Sequence, residues 1–268
     1  MTLVTRLASA FTDITLPALR KDIVLPTTAT TGAGDRILYD FKNVGTWPSQ
    51  VAAINVGDEL FNLGDTAVVD KVSATFAASY DPAAGAVTTA SFPLANTGIE
   101  LENAHDDIFN DTTHNFLFIA WIKPNNSAYR KHTQKGSGDS TSTTKTIDLW
   151  TFNGFPRIQL AGSDNRFSTG NDFFFASRTD TITQVAAAIV KESGSWVGYR
   201  YQDGSPYGSS LALSAGTSAS AIFPLANHNM EIVNGPTYRV YVEDLTVSNR
   251  SHSAVVATDY ARGNGRFS

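Results

Sequence analysis

Cysteine is absent from the 268 residues, and charged residues are scarce at 17%. The missing thiols exclude disulfides, thiolate metal sites and thiol catalysis. A formal net charge of −5 argues against a nucleic-acid partner, which would require a basic surface to neutralise phosphates. No stretch approaches the roughly 18 apolar residues of a membrane span, so no spanning segment is expected. Residues 1–14 lack the continuous apolar core of a signal peptide, which favours synthesis in the cytoplasm.

The residues that are abundant favour β-structure. There are 16 Phe, 9 Tyr and 4 Trp, and Thr, Ser, Asn and Gly replace charged residues at many polar positions. Aromatic residues and Thr suit a pleated surface, whereas Asn and Gly tolerate turn dihedrals. Many short apolar runs are separated by turn residues at fairly regular spacing. This pattern predicts an all-β protein, a two-sheet antiparallel jelly-roll sandwich with an N-terminal extended arm and a short C-terminal helix.

Individual segments support this prediction. Phe116–Ile122 is apolar on both faces, which is typical of a central strand that is buried on both sides. Asn153-Gly154 and Asp203-Gly204 lie between apolar runs and predict two-residue hairpin turns. Residues 238–247 are expected to form the last strand. Because Leu245 and Val247 are out of phase with the apolar residues before them, a β-bulge near Glu243 is expected there.

The only predicted helix follows that strand. Asn249 or Ser251 can cap it, and Gly263 ends it. Its apolar face is expected to hold a set of small or branched residues, namely Ala254, Val255, Thr258 and Ala261.

The chain divides into an arm and one domain. Residues 1–35 combine near-helical apolar spacing with Pro, Thr and Gly, so they are interpreted as an anchoring arm that docks on another protein; a frayed terminus is the alternative. Residues 36–268 are assigned to the jelly-roll domain, with its core at about 98–248.

Three segments resemble the concanavalin A-like, laminin G-like jelly roll. They are the strand at 116–124 with its Ala-Trp-Ile-Lys-Pro ending, the Trp-x-x-Tyr hairpin with Asp-Gly at 196–204, and the last strand at 238–247. The resemblance covers a little over half of the chain. It implies a lectin-like sandwich, and family members often bind sugar or hold calcium on their rim.

A second resemblance rests on the general character of several short segments rather than on one motif. Residues 38–41 with 47–49, and the ending at 243–247 with 261–265, look similar to virion proteins of tailed bacteriophages, such as decoration proteins, tail fibres and tail-tip components. This resemblance implies attachment to a virus particle made in the host cytoplasm. The partners would then be other virion structural proteins and further copies of the same chain.

Sugar binding requires exposed aromatic rings beside polar groups, because the C–H face of a sugar packs on a ring and its hydroxyls need partners. Five residues meet this description in the sequence, and they are predicted to bind carbohydrate: Trp150, Tyr199, Tyr201, Asp203 and Tyr207. For Trp150 and Tyr199, a place in the core is the alternative.

A calcium site is conceivable in the acidic stretch at 105–114. Its oxygen ligands would be Asp106, Asp107, Asn110 and Asp111. The alternative is a polar loop with Asx turns ahead of the buried strand, and the spacing differs from that of an EF-hand loop. No other cofactor is predicted.

No catalytic set is evident in the sequence. Jelly-roll glycosidases use alternating carboxylates such as Glu-x-Asp-x-Glu on one strand, and only the pair Glu100 and Glu102 has that spacing here. The sequence therefore predicts a non-enzymatic virion structural protein that attaches to the particle and binds host surface glycans. Two alternatives remain open: a carbohydrate-binding receptor-recognition module, and a polysaccharide hydrolase or lyase.

Overall fold

The computed structural model describes residues 34–64, 71–73, 78–89, 99–100, 113–125, 130–135, 147–160, 172–213, 230–232 and 235–267. Residues 1–33 of the predicted arm at 1–35 and the predicted calcium ligands Asp106, Asp107, Asn110 and Asp111 lie outside these residues. In the described part, nearly all regular structure is strand. The strands are β1 Asp35–Asp40, β2 Ala53–Ile54, β3 Glu59–Phe61, β4 Lys71–Ser73, β5 Ala78–Asp81, β6 Ala86–Thr89, β7 Ile99–Glu100, β8 Phe116–Ile122, β9 Arg130–Lys135, β10 Ile147–Phe152, β11 Phe155–Leu160, β12 Asp172–Phe174, β13 Thr183–Glu192, β14 Ser195–Gln202, β15 Ser205–Pro206, β16 Leu211–Ala212, β17 Met230–Ile232 and β18 Thr237–Asp244.

Two helices follow the last strand, α1 at Leu245–Ser248 and α2 at His252–Gly263. No helix among the described residues is long and apolar enough to cross a membrane.

The strands form two main antiparallel sheets. The large sheet has ten strands, in the order β15-β14-β13-β8-β18-β6-β5-β2, with β1 added on β18 and β16 on β14. The second sheet has six strands, in the order β12-β11-β10-β9-β17-β7, and β3 pairs with β4 separately. The predicted antiparallel two-sheet sandwich with a C-terminal helix is thereby confirmed. Residue 98 is where the predicted core begins, yet four strands of the large sheet lie before it, namely β1, β2, β5 and β6.

The sandwich core lies between the two sheets. Large-sheet residues such as Phe118, Val185 and Val240 pack there with Leu149 and Ile158 of the six-stranded sheet, and all five are nearly or fully buried. Alternate residues of a strand point to opposite faces, so this core takes only every second residue of β8.

The large sheet has a second apolar face, which α2 and the C-terminal segment cover. Leu117, Ile119 and Trp121 of β8 pack there with Val256 of α2 and with Phe267. This second core explains why every residue of β8 is buried, as its sequence predicts.

The end of β18 differs from the prediction. The strand stops at Asp244, and residues 245–248 form α1 instead of continuing the strand. A register shift does occur near Glu243, but it lies in the pairing with β1, where Asp35 is opposite Glu243 and Ile37 is opposite Val242. The Asp244 carboxylate accepts hydrogen bonds from the backbone N–H groups of Thr246 and Val247 at 3.0 and 3.1 Å, so it caps the helix. The out-of-phase positions of Leu245 and Val247 therefore reflect a change from strand to helix.

The C-terminal helix spans the predicted residues but buries a different face. Its buried residues are Val255, Val256, Asp259 and Gly263, whereas Ala254 and Ala261 are exposed. The difference follows from Asp259, because its ion-pair partner, Arg239 of β18, lies in the sheet beneath the helix.

Candidate ligand-binding surface

The five residues predicted to bind sugar occupy four separate places. Tyr199 and Tyr201 are two apart on β14 and lie on the helix side of the large sheet. Asp203 is in the turn after β14, and Tyr207 follows β15. Trp150 is on β10 in the other sheet. The structure therefore does not bring these five side chains together.

Tyr201 and Tyr199 contact the beginning of α2. Tyr201 is buried, and its hydroxyl lies 2.5 Å from Nδ1 of His252. Burial raises the pKa of Tyr201 to about 12, so its hydroxyl stays protonated, and the two groups share one hydrogen bond. Tyr199 packs on the same imidazole with a ring-centroid distance of 4.7 Å, and its hydroxyl donates to Glu192 at 2.5 Å. Both tyrosines thus help to fix the helix on the sheet, and only Tyr199 keeps part of its ring at the surface.

Asp203 ties the hairpin turn to β13. Its carboxylate accepts hydrogen bonds from the Thr183 hydroxyl at 2.7 Å and from the Arg178 guanidinium at 2.9 Å. Asp203 and Gly204 both have positive φ, of 50° and 78°, as the Asp-Gly sequence predicts for this turn. The carboxylate is 24% exposed, so most of its surface is engaged within the protein.

Tyr207 lies at the rim of the sandwich. Its ring is 5.9 Å from that of Phe175, and the Arg200 guanidinium lies over it at 5.7 Å. Arg200 also donates to the carbonyl oxygen of Phe174 at 3.3 Å. This contact connects the rim to the outer face of the six-stranded sheet.

Three phenylalanines are exposed on that outer face. Phe152 is 45% exposed, Phe155 is 51% exposed and Phe174 is 44% exposed. Phe152 and Phe155 are directly opposite each other across β10 and β11. Phe174 is opposite Arg157, which shares a face of β11 with Phe155. We name Phe152, Phe155 and Phe174 the aromatic platform.

Arg157 and Trp150 lie in the same cross-strand row as Phe174, because Arg157 is opposite Trp150 on β10 and opposite Phe174 on β12. The Arg157 guanidinium lies 4.9 Å from the ring centroid of Trp150 and 4.6 Å from that of Phe174. Trp150 is only 5% exposed and Arg157 only 1%. Trp150 and Arg157 therefore lie on the same face of the sheet as the platform but are covered, whereas the three phenylalanine rings reach the surface.

Polar groups adjoin the platform at the β10–β11 turn. The backbone N–H of Arg178 donates to the carbonyl oxygen of Gly154 at 3.0 Å. A Cβ on Gly154 would collide with the hydroxyls of Ser177 and Thr179, so these side chains pack directly on the turn. The Arg178 side chain is 38% exposed. The hydroxyls of Ser177 and Thr179 thus lie at the turn that joins Phe152 to Phe155, whereas the Arg178 guanidinium donates to Asp203.

The described residues provide little for metal or acid–base chemistry. No three His, Asp or Glu side chains within them are grouped so that they could hold a metal ion. Glu100 is in β7, and Glu102 lies outside the described residues.

Sequence reasoning missed the platform, although its signal is present. Phe152 and Phe155 flank the Asn153-Gly154 turn, and Phe174 is the middle member of a Phe-Phe-Phe run. In a strand that is buried on one face, the middle side chain of such a run must point to the opposite face from its two neighbours. Phe173 and Phe175 are indeed buried, and Phe174 faces outward.

Comparison with known proteins adds only distant likenesses. No protein-family model matches the sequence, and no curated protein matches it. Among solved structures, the CBM40 of the Ruminococcus gnavus IT-sialidase, bound to alpha2,3 sialyllactose, is 16% identical with a TM-score of 0.43; the match covers 62% of this chain and 98% of that chain. The binding domain of botulinum neurotoxin DC in complex with rat synaptotagmin II is 11% identical with a TM-score of 0.43, over 79% of this chain and 52% of that domain. TM-scores this low are no evidence for a shared ligand or function.

Proposed function

We propose that this protein is a non-enzymatic binding protein whose aromatic platform takes a glycan. The exposure of Phe152, Phe155 and Phe174 on neighbouring strands carries this proposal. Soluble proteins rarely expose adjacent large apolar side chains without a ligand or partner for them. The rings offer a flat apolar surface for the C–H faces of sugars, and the polar groups of residues 177–179 offer partners for hydroxyls.

Substitution of the platform tests this function. Phe155→Ala or Phe174→Ala should weaken glycan binding by roughly fivefold each, because an aromatic contact contributes about 1 kcal/mol beyond simple burial. Phe155→Tyr keeps the ring and should bind as the parent does. The ligand is first selected on an array of host and bacterial surface glycans, and the variants are then compared by calorimetry with the selected oligosaccharide.

Two controls locate the site. Val247→Ala removes an exposed apolar side chain from α1, away from the platform, and should leave affinity unchanged. Tyr199→Ala tests the tyrosine that was predicted from sequence on the other side of the large sheet. If Tyr199→Ala loses glycan binding and the platform variants keep it, the binding site lies on the helix side of the large sheet instead. Absence of any bound glycan at millimolar concentration would contradict the proposal.

A second candidate is a structural component of a bacteriophage virion: a capsid decoration protein, a tail fibre or a tail-tip component. The composition of residues 1–35, apolar residues at near-helical spacing followed by a Pro-, Thr- and Gly-rich stretch, favours an anchoring arm. On this proposal the protein is located in the virion and contacts other structural proteins and its own copies. The two candidates are compatible, because the arm and the platform are different parts of the chain.

Deletion of the arm separates the candidates. Because β1 begins at Asp35, the deletion should stop at residue 33 so that the strand is preserved. The shortened protein should keep glycan binding and lose incorporation into particles, as measured by its stoichiometry in purified virions. If Phe155→Ala also abolishes incorporation without changing glycan affinity, the platform is an assembly contact instead.

A further inference from the structure

A buried polar cluster lies where β1 begins. Its members come from β1, β18, α1 and the connection between the two helices. We name this cluster the clasp; it consists of Asp35, Tyr241, Glu243, Ser248 and Arg250. Asp35 is 5% exposed, and Tyr241 and Glu243 are fully buried.

The tyrosine hydroxyl is the centre of the clasp. Its oxygen lies 2.6 Å from Oδ1 of Asp35, 2.6 Å from Oε2 of Glu243 and 2.7 Å from Nη2 of Arg250. The same guanidinium donates from Nη2 to Asp35 Oδ1 at 2.5 Å and from Nε to Glu243 Oε1 at 2.6 Å. The Ser248 hydroxyl donates to Glu243 Oε1 at 2.5 Å.

These contacts require one proton more than a tyrosine and two carboxylates supply. A tyrosine hydroxyl has a single proton and can donate to only one acceptor. Two oxygen atoms at 2.6 Å without a proton between them would repel each other. One of the two carboxyl groups must therefore donate to the Tyr241 oxygen. Asp35 Oδ1 already accepts from Arg250, whereas Glu243 Oε2 has its hydrogen-bond contact within the described residues with the tyrosine alone, so the proton belongs on Glu243.

We propose that Glu243 is a neutral carboxylic acid in the folded protein. Its proton completes the hydrogen bonds of the clasp at the first residue of β1. Glu243 Oε2 donates to Tyr241, Tyr241 donates to Asp35, and Arg250 pairs with the charged Asp35. Loss of the proton leaves two buried carboxylates facing one guanidinium, and one of the 2.6 Å contacts has to open.

The surroundings of Glu243 support this assignment. On β8 its partner is the apolar Leu117, and on β1 its partner is Asp35. The next charged groups, Arg36 and His114, are both directed at the neighbouring Asp244, at 3.8 and 2.6 Å. Arg250 is thus the one cation that contacts Glu243 among the described residues. Burial raises the pKa of Glu243, and the contacts with Arg250, Ser248 and Tyr241 oppose this shift only in part.

The clasp fixes the point at which residues 1–33 join the sandwich. The Gly34 carbonyl accepts a hydrogen bond from the Asp244 N–H at 2.7 Å. A Cβ on Gly34 would lie 2.6 Å from Cβ of Ser248, so this junction is packed against α1 without spare room. Opening the clasp would loosen Gly34 and Asp35 before the rest of β1, because the remaining residues of β1 continue along β18.

Infrared spectroscopy tests the protonation directly in the unmodified protein. At pH 7 we expect a carbonyl stretching band of a protonated carboxyl group that disappears in Glu243→Gln. Asp180→Asn removes an exposed carboxylate and should leave the band in place. Absence of the band at pH 7, or its persistence in Glu243→Gln, would overturn the proposal.

Stability as a function of pH gives a second readout. A carboxyl group whose folded pKa is raised stabilises the fold at low pH, and this contribution is lost as the pH rises toward the folded pKa. Above the ordinary value of 4.5, the unfolding equilibrium constant of the parent should rise relative to that of Glu243→Gln by up to about tenfold per pH unit. The protection factor of the Asp35 amide, which corrects for the intrinsic rise of hydrogen exchange with pH, should fall over the same range in the parent only. A constant ratio between the two proteins from pH 5 to 9 would contradict the clasp.

Discussion

At the scale of single residues, burial separates side chains that look equivalent in the sequence. Trp150 and Phe152 are two apart on β10 and share a face of the strand, yet Trp150 is 5% exposed and Phe152 is 45% exposed. Because side chains alternate along a strand, the sequence predicts which face of the sheet each side chain points to. It does not predict which residue of that face remains at the surface, because this depends on neighbours that are distant along the chain.

His252 provides a pH-dependent prediction at this scale. Burial lowers its pKa from 6.5, while the nearby Glu192 acts in the opposite direction. A base whose folded pKa is lowered gives stability that is complete above pH 6.5 and is lost as the pH falls below it. We expect the free energy of unfolding, measured with urea, to fall below pH 6.5 with a slope of at most about 1.4 kcal/mol per pH unit from this group.

Two variants assign this effect to His252. In His252→Gln the additional slope below pH 6.5 should disappear. In Glu192→Gln the pKa of His252, followed by nuclear magnetic resonance, should fall further, because the opposing charge is removed. An unchanged slope in His252→Gln would show that another group causes the acid sensitivity.

At the scale of elements, α2 is fixed to the large sheet by a buried ion-pair network. Asp259 is fully buried and accepts hydrogen bonds from the Trp121 indole at 2.7 Å and from the Gln184 amide at 2.6 Å. Arg239 of β18 lies between two carboxylates, 3.0 Å from Asp259 and 3.5 Å from Asp40. Asp40 also pairs with Arg266 behind the helix. This network explains why the helix buries the face that carries Asp259.

Removal of Asp259 should be costly. Asp259→Ala removes one of the carboxylates that pair with the buried guanidinium of Arg239, and breaking such a pair from one side costs about 3–5 kcal/mol. Denaturant unfolding measures this loss. Ala257→Ser changes an exposed residue of the same helix and should alter stability by no more than about 0.5 kcal/mol. Similar losses in both variants would indicate that the buried network contributes little.

The sequence predicted most elements where the pattern is local. The Asn153-Gly154 and Asp203-Gly204 turns have the positive φ values that such pairs favour. It failed at residues 245–248, where an apolar run continues without a turn residue. The change to helix there depends on the capping carboxylate of Asp244, which strand periodicity does not reveal.

At the scale of the whole molecule, one sheet serves two cores. The large sheet packs against the six-stranded sheet on one face and against α2 and the C-terminal segment on the other. Close contacts between the layers depend on glycine at particular positions. A Cβ on Gly198 would clash with Phe173 of the opposite sheet, and one on Gly263 would clash with Trp121 beneath the helix. The arrangement leaves the outer face of the six-stranded sheet as the surface that carries the aromatic platform.

The sequence by itself determined the all-β fold class, the hairpin turns, the doubly buried strand Phe116–Ile122 and the C-terminal helix, because periodicity and turn residues act between close neighbours in the chain. Only the tertiary structure decided which aromatic side chains are exposed and which carboxyl groups meet in the interior. Those outcomes depend on strand order, which joins residues as distant as Asp35 and Tyr241. For the same reason, the clasp became visible only in the folded chain.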